Sequence, residues 1–168
     1  MKKSLLLLAI ALMSQSSWIF AQSPLPVGKA QVNLGLGLSG WGVPFYVGID
    51  YSAHKDITLG AEFSYRSYRE NWKNAYYNHR ITGFSGNANY HFNSLLKIPR
   101  NWDLYAGLNI GFYSWNSDKA YPGSYNSGLG LGAQLGGRYY LNNKLGLNLE
   151  LGGGNAFSSG KFGISIKI

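Results

Sequence analysis

Asp103-Leu104-Tyr105-Ala106-Gly107-Leu108-Asn109-Ile110-Gly111-Phe112-Tyr113 alternates without a break. Leu104, Ala106, Leu108, Ile110 and Phe112 fall on one side, and Asp103, Tyr105, Gly107, Asn109, Gly111 and Tyr113 on the other. A period of two belongs to a β-strand, whose successive side chains point to opposite faces. The run has the roughly 9–11 residues that a tilted strand needs to cross the hydrocarbon of a bilayer.

The same period recurs along the rest of the chain, whereas no apolar spacing after residue 30 is helical. Upstream, Val32, Leu34, Leu36 and Leu38 alternate with Gln31, Asn33, Gly35 and Gly37, and Phe45, Val47, Ile49 and Tyr51 with Tyr46, Gly48, Asp50 and Ser52. Ile57, Leu59, Ala61, Phe63 and Tyr65 stand against Thr58, Gly60, Glu62, Ser64 and Arg66, and Phe84, Ala88, Tyr90 and Phe92 against Ser85, Asn87, Asn89 and His91. Downstream, Leu129, Leu131, Ala133, Leu135 and Tyr139 oppose Gly128, Gly130, Gly132, Gln134, Gly136 and Arg138. Leu145, Leu147, Leu149 and Leu151 oppose Gly146, Asn148, Glu150 and Gly152, and Phe162, Ile164, Ile166 and Ile168 oppose Lys161, Gly163, Ser165 and Lys167. An even set of eight such segments predicts an all-β, antiparallel up-and-down barrel over residues 30–168, closed because lipid tolerates no open sheet edge.

The composition of the two faces predicts which one meets lipid. Gly, Asn and Ser crowd the polar face, as the narrow interior of an eight-stranded barrel requires. The other face carries almost no charge, and Phe45, Tyr51, Tyr65, Tyr90, Phe92, Phe112 and Tyr139 gather toward its ends, in the manner of a membrane barrel's aromatic girdle. The competing expectation is a soluble sandwich or lipid carrier, with the same alternation and the apolar face inside.

The chain has 168 residues and no cysteine, so one domain without disulfides is expected. Lys2 and Lys3, an apolar run from Leu5 to Met13 too short to span, and Ala21 as a cleavage point predict a signal peptide over residues 1–21. Residues 22–29 follow as a short periplasmic lead-in. Without Lys2 and Lys3 the stated net charge of +8 becomes +6, since 13 basic and 7 acidic residues remain. An excess of this size reads as a solvated basic surface or as loops touching anionic lipid phosphates, and export excludes nucleic acid as a partner.

These segments resemble the small OmpA-like and OmpX-like outer-membrane barrels. The last strand, Lys161-Phe162-Gly163-Ile164-Ser165-Ile166-Lys167-Ile168, is similar to that family's terminal assembly signal, with Ile168 where the family usually ends in an aromatic. The resemblance implies a bacterial outer-membrane location, lipid partners including lipopolysaccharide, and recognition of the last strand by the insertion machinery. It implies no catalytic motif and no cofactor.

With both ends of the mature chain on the periplasmic side, 53–56, 93–102 and 142–144 are periplasmic connections, and 40–44, 67–79, 116–125 and 153–160 are external loops. Trp41, Trp72, Tyr76, Tyr77, Trp115, Tyr121 and Tyr125 fall in or beside those loops. They are expected to act as interfacial anchors or as a surface for an extracellular protein or glycan. Parity sends Asp50, Glu62, Asp103 and Glu150 into the lumen with Arg66, Arg138, Lys161 and Lys167, four acids against four bases, which reads as a structural plug or, alternatively, an ion-conducting ladder.

His54, His79 and His91 have no metal-site spacing, and the glycines from Gly128 to Gly132 lack the helix a nucleotide loop needs. His91 with Ser94 and an acid leaves one enzymatic alternative, a lipid A deacylase-like site. The leading expectation is a non-enzymatic barrel acting structurally or through its external loops.

Overall fold

The structure is a computed structural model, and it describes residues 23–154 and 160–168. The proposed signal peptide lies outside the described residues, as does most of the expected 153–160 loop.

Eight strands run in chain order: β1 (Ala30–Leu38), β2 (Phe45–His54), β3 (Ile57–Trp72), β4 (Ala75–His91), β5 (Trp102–Ser117), β6 (Gly128–Tyr140), β7 (Leu145–Gly154) and β8 (Gly160–Lys167). Each pairs antiparallel with the next, and β8 pairs back onto β1, closing the barrel. At the closing seam Gly35 lies opposite Gly163. A Cβ on either glycine would strike the backbone of the other strand, and one on Gly163 would also meet the Tyr46 hydroxyl, so the seam closes tightly because both lack side chains.

The alternation resolves into an outside and an inside as the two faces predict. Leu108, Leu129, Leu131, Leu135, Leu149 and Phe84 are exposed, Leu108 to 69%. Gln31, Asp50, Thr58, His91, Asp103 and Arg138 are buried, Arg138 to 3% exposure. A soluble container would show the reverse arrangement.

The wall is uneven in height. β3, β4 and β5 have 16, 17 and 16 residues, whereas β1, β2, β7 and β8 have 8 to 10. The expected 67–79 loop is instead the upper half of the β3–β4 hairpin, in unbroken register from Ile57↔Tyr90 to Trp72↔Ala75. Its two-residue turn, Lys73-Asn74, has positive φ at both positions (48° and 66°), the backbone of a hairpin turn whose twist matches the flanking strands. The alternation in sequence fades there because the outward face turns polar while the inward one mixes charged and aromatic residues, so no apolar face marks the strands.

At the opposite end the connections are compact. A short helix, α1 (Asn93–Leu96), starts the β4–β5 connection and ends on Lys97 in the left-handed region. The segment before β1 turns at Gly28 (φ 79°), whose N–H donates to the Ser52 carbonyl at 2.9 Å, and Leu25 within it is buried.

Candidate functional site

The lumen residues come from every strand because each contributes its inward parity. Toward the turn end, Arg138 on β6 reaches Asp50 on β2 (Nη2–Oδ2, 2.6 Å) and Asp103 on β5 (Nη1–Oδ2, 3.2 Å). Gln31 and Asn33 donate amide N–H groups to the same Asp50 oxygen at 3.2 and 2.9 Å. The guanidinium carbon sits 4.3 Å from the centroid of the Tyr105 ring. These partners offset a desolvation cost that would otherwise reach several kcal/mol per ion.

Higher in the lumen, Lys161 on β8 bridges Glu62 at 2.8 Å and Glu150 at 2.6 Å. The Tyr105 hydroxyl donates to Glu150 Oε2 at 3.0 Å, so one phenol joins the two ion groups. Of the eight charges that parity sends inward, these are six. The other two sit on aromatic rings: the Arg66 guanidinium carbon is 5.6 Å from the Trp41 centroid, and Lys167 Nζ is 3.6 Å from that of Tyr140. Among these contacts, the eight inward charges form two compact ion groups and two cation–ring pairs.

Beside Asp103, His91 places Nδ1 2.7 Å from Oδ1 of the carboxylate and Nε2 3.0 Å from the Thr58 hydroxyl. Hydroxyl, imidazole and carboxylate thus stand in the order of a nucleophile relay. All three residues are 0–1% exposed, so no substrate reaches them without opening the barrel. Ser94 is not in this group, since its hydroxyl donates to Asp56 instead. Thr58 had one signal in the sequence, its inward parity on the strand facing His91.

An internal space among Asp50, Glu62, Tyr105, Arg138, Glu150 and Lys161 holds roughly one or two water molecules. That is room to hydrate a plug.

At the other end an aromatic cluster covers the lumen. His79 on β4 is fully buried; its ring stacks on Tyr68 (4.8 Å), and Tyr121 and Tyr125 meet it edge-on at 4.7 and 5.2 Å. Trp115 stacks on Tyr125 at 4.2 Å and meets Trp41 at 5.3 Å. Tyr121 also touches Trp72 and Tyr77, 6.2 and 5.2 Å between centroids. Six of the seven aromatics expected as interfacial anchors or as an external surface pack together across the mouth. Tyr76 is the exception, 65% exposed, with Arg69 beside its ring at 5.9 Å.

Polar groups pin the cluster. The Tyr125 hydroxyl donates to Glu70 Oε2 at 3.1 Å, His79 Nδ1 pairs with the Ser117 hydroxyl at 2.8 Å, and His79 Nε2 lies 3.1 Å from Glu70 Oε2 at an angle outside the hydrogen-bond range. Burial, followed by the neighbouring Tyr125 phenol and Glu70, pushes the Tyr68 hydroxyl pKa upward. The Tyr121 pKa is raised chiefly by its hydrogen bond with Tyr125. Tyr68 was not singled out in the sequence, and His79 was weighed there only as a metal ligand, because the segment holding them reads as loop once the alternation fades.

A closed eight-stranded antiparallel barrel with charges within and hydrocarbon without is the fold of the small outer-membrane barrels. OprG from Pseudomonas aeruginosa superposes with a TM-score of 0.66 at 9% identity, over 86% of this chain and 97% of that one. Neisserial surface protein A gives 0.55 at 14% identity, over 83% of this chain and 95% of that one. Ail of Yersinia pestis, solved in complex with the heparin analogue sucrose octasulfate, gives 0.51 at 12% identity, over 84% and 96%. No family model and no curated protein sequence matches the chain.

Proposed function

We propose that the chain is a non-enzymatic integral protein of the bacterial outer membrane, exported by the signal peptide at 1–21, and that it acts structurally or through the tall β3–β4–β5 wall outside the cell. The observation that carries this reading is the belt of exposed Leu, Ile and Phe around a barrel whose interior is ionic. Water would penalise that belt by about 25 cal/mol for each Å² of apolar surface, and hydrocarbon removes the penalty. The short turns then face the periplasm, and the long hairpin faces outward.

Its partners in this reading are outer-membrane lipids, lipopolysaccharide included, and the insertion machinery that reads β8. An extracellular protein or glycan would meet the exposed hairpin face, where Arg69, Lys73, Tyr76 and Arg80 stand clear of the aromatic cluster. The complex of Ail with a heparin analogue supports a sulfated glycan as the first ligand to try. The space beside Asp50, Glu62 and Lys161, with room for roughly one or two waters, favours a plug over a pore.

Membrane fractionation with heat-modifiability on a gel tests the proposal. An integral barrel stays with the membrane after salt washing and shifts its mobility on boiling. Recovery in the soluble periplasmic fraction without detergent overturns the reading.

A further inference from the structure

The turn end of the barrel is cationic all round. Lys29, Lys55, Lys97, Arg100 and Lys144 are distributed over its four chain segments, and all five are exposed. Among the described residues of those segments Asp56 is the one acid; it is 6% exposed, accepts from Ser94 and pairs with Lys55 at 3.6 Å, which sets five cations against one acid in those segments. Cations and hydrocarbon converge on one sector. The Tyr140 N–H donates to the Asn101 carbonyl at 2.7 Å, which ties the β4–β5 connection to the start of the β6–β7 turn. Arg100 and Lys144 stand in these two tied connections, in which Leu95, Leu96 and Leu141 are 65%, 60% and 56% exposed. Trp102 and Tyr139, 4.8 Å apart, join that surface to the apolar belt.

Free leucines on a turn are costly in water, and clustered cations repel one another unless an anion lies between them. A lipid with acyl chains and a phosphate head satisfies both at once. Trp and Tyr at the junction belong at headgroup level, between hydrocarbon and water.

We infer that this sector is a binding patch for an anionic glycerophospholipid, with Arg100 and Lys144 on the phosphate and Leu95, Leu96 and Leu141 against the acyl chains. The inference rests on the membrane reading above and deepens it. Because the turn end faces the periplasm in that reading, the occupant is a phospholipid of the inner leaflet and not lipopolysaccharide.

The experiment places the full barrel in phosphatidylcholine bilayers at low salt and compares the association of spin-labelled phosphatidylglycerol and phosphatidylcholine with it. Each cation near the surface contributes roughly fivefold at the patch, diluted to about twofold over the whole lipid shell. Wild type is expected to prefer phosphatidylglycerol, with the preference lost in the R100Q/K144Q double variant and retained in K119Q at the opposite end. Equal association of the two lipids with wild type overturns the inference, and so does full retention of selectivity in R100Q/K144Q. Heat-modifiability of each variant reports separately on the barrel, so failure of the patch is distinguishable from failure of the membrane reading. Binding of wild type to purified peptidoglycan, lost in the same double variant, with no lipid preference would assign the cations to the cell wall and also overturn it.

Discussion

Arg138 Nη2 lies 2.6 Å from Asp50 Oδ2, although 88 residues separate them in the chain. The pair spans the lumen from β6 to β2, and the same guanidinium also holds Asp103. Arg138→Ala leaves two carboxylates buried and facing each other. The expected loss is about 3–5 kcal/mol of stability, the usual result of removing one partner from a buried ion group. Lys167→Ala, which removes a cation over a ring, is expected to cost about 0.5–1 kcal/mol. Urea unfolding in bilayers measures both, and equal losses would mean that the Arg138 group is not the keystone of the lower lumen.

Leu108 and Tyr76 face outward with nearly equal exposure, 69% and 65%. Leu108 lies in the apolar belt and Tyr76 on the hairpin above it. Leu108→Arg is expected to destabilise the barrel by about 2–4 kcal/mol in bilayers, the cost of a midplane cation on a lipid-facing strand. Tyr76→Arg should change stability by less than about 0.5 kcal/mol, as exposed substitutions do. A barrel surrounded by water would treat the two alike.

Gly136 faces the Tyr105 ring so closely that an added Cβ would overlap it. Gly136→Ala is expected to cost about 1–3 kcal/mol through overpacking. Combined with Tyr105→Leu, the alanine should cost much less than it does alone, because the obstructing ring is gone. Additive losses in that double-mutant cycle would show that the glycine is needed for another reason.

The phenols over the mouth set a pH dependence with a definite sign. Tyr68 and Tyr121 both hold their protons more tightly in the folded chain, Tyr68 mainly through burial and Tyr121 mainly through Tyr125. Their contribution is whole below about pH 10, the ordinary phenol value, and is lost as pH climbs through the raised folded values. Phenolate absorbance should therefore rise later in the folded protein than in urea, and alkaline titration should loosen the mouth first. Tyr68→Phe is expected to reduce that lag, and an unchanged titration would refute the assignment.

Much of this architecture was legible because face assignment is local. Leu108 outward and Tyr105 inward follow from parity alone, and parity survives wherever lipid wets one face and packed polar groups the other. The upper hairpin escaped notice for the converse reason. Outward Ser67 and Arg69 differ too little from inward Arg66 and Glu70 to mark a strand. Extending the parity of Tyr113 by one step would have put Trp115 inside, and with it the aromatic cluster. Parity also assigned Asp50 and Arg138 to the lumen, but their partnership depends on the register of β2 through β6, a product of the whole sheet.

The Gly35–Gly163 seam has a kinetic consequence. Every other strand pair joins neighbours in sequence, and so can zip locally as its turn forms, but the β1–β8 ladder must wait for two segments 132 residues apart at the Asn33–Ser165 contact to find each other. That long-range step carries the largest loop-closure entropy and is expected to come last. Before it, the growing sheet has two raw edges and an unfilled interior, which is the form most open to assistance by a catalyst and most prone to aggregate without one.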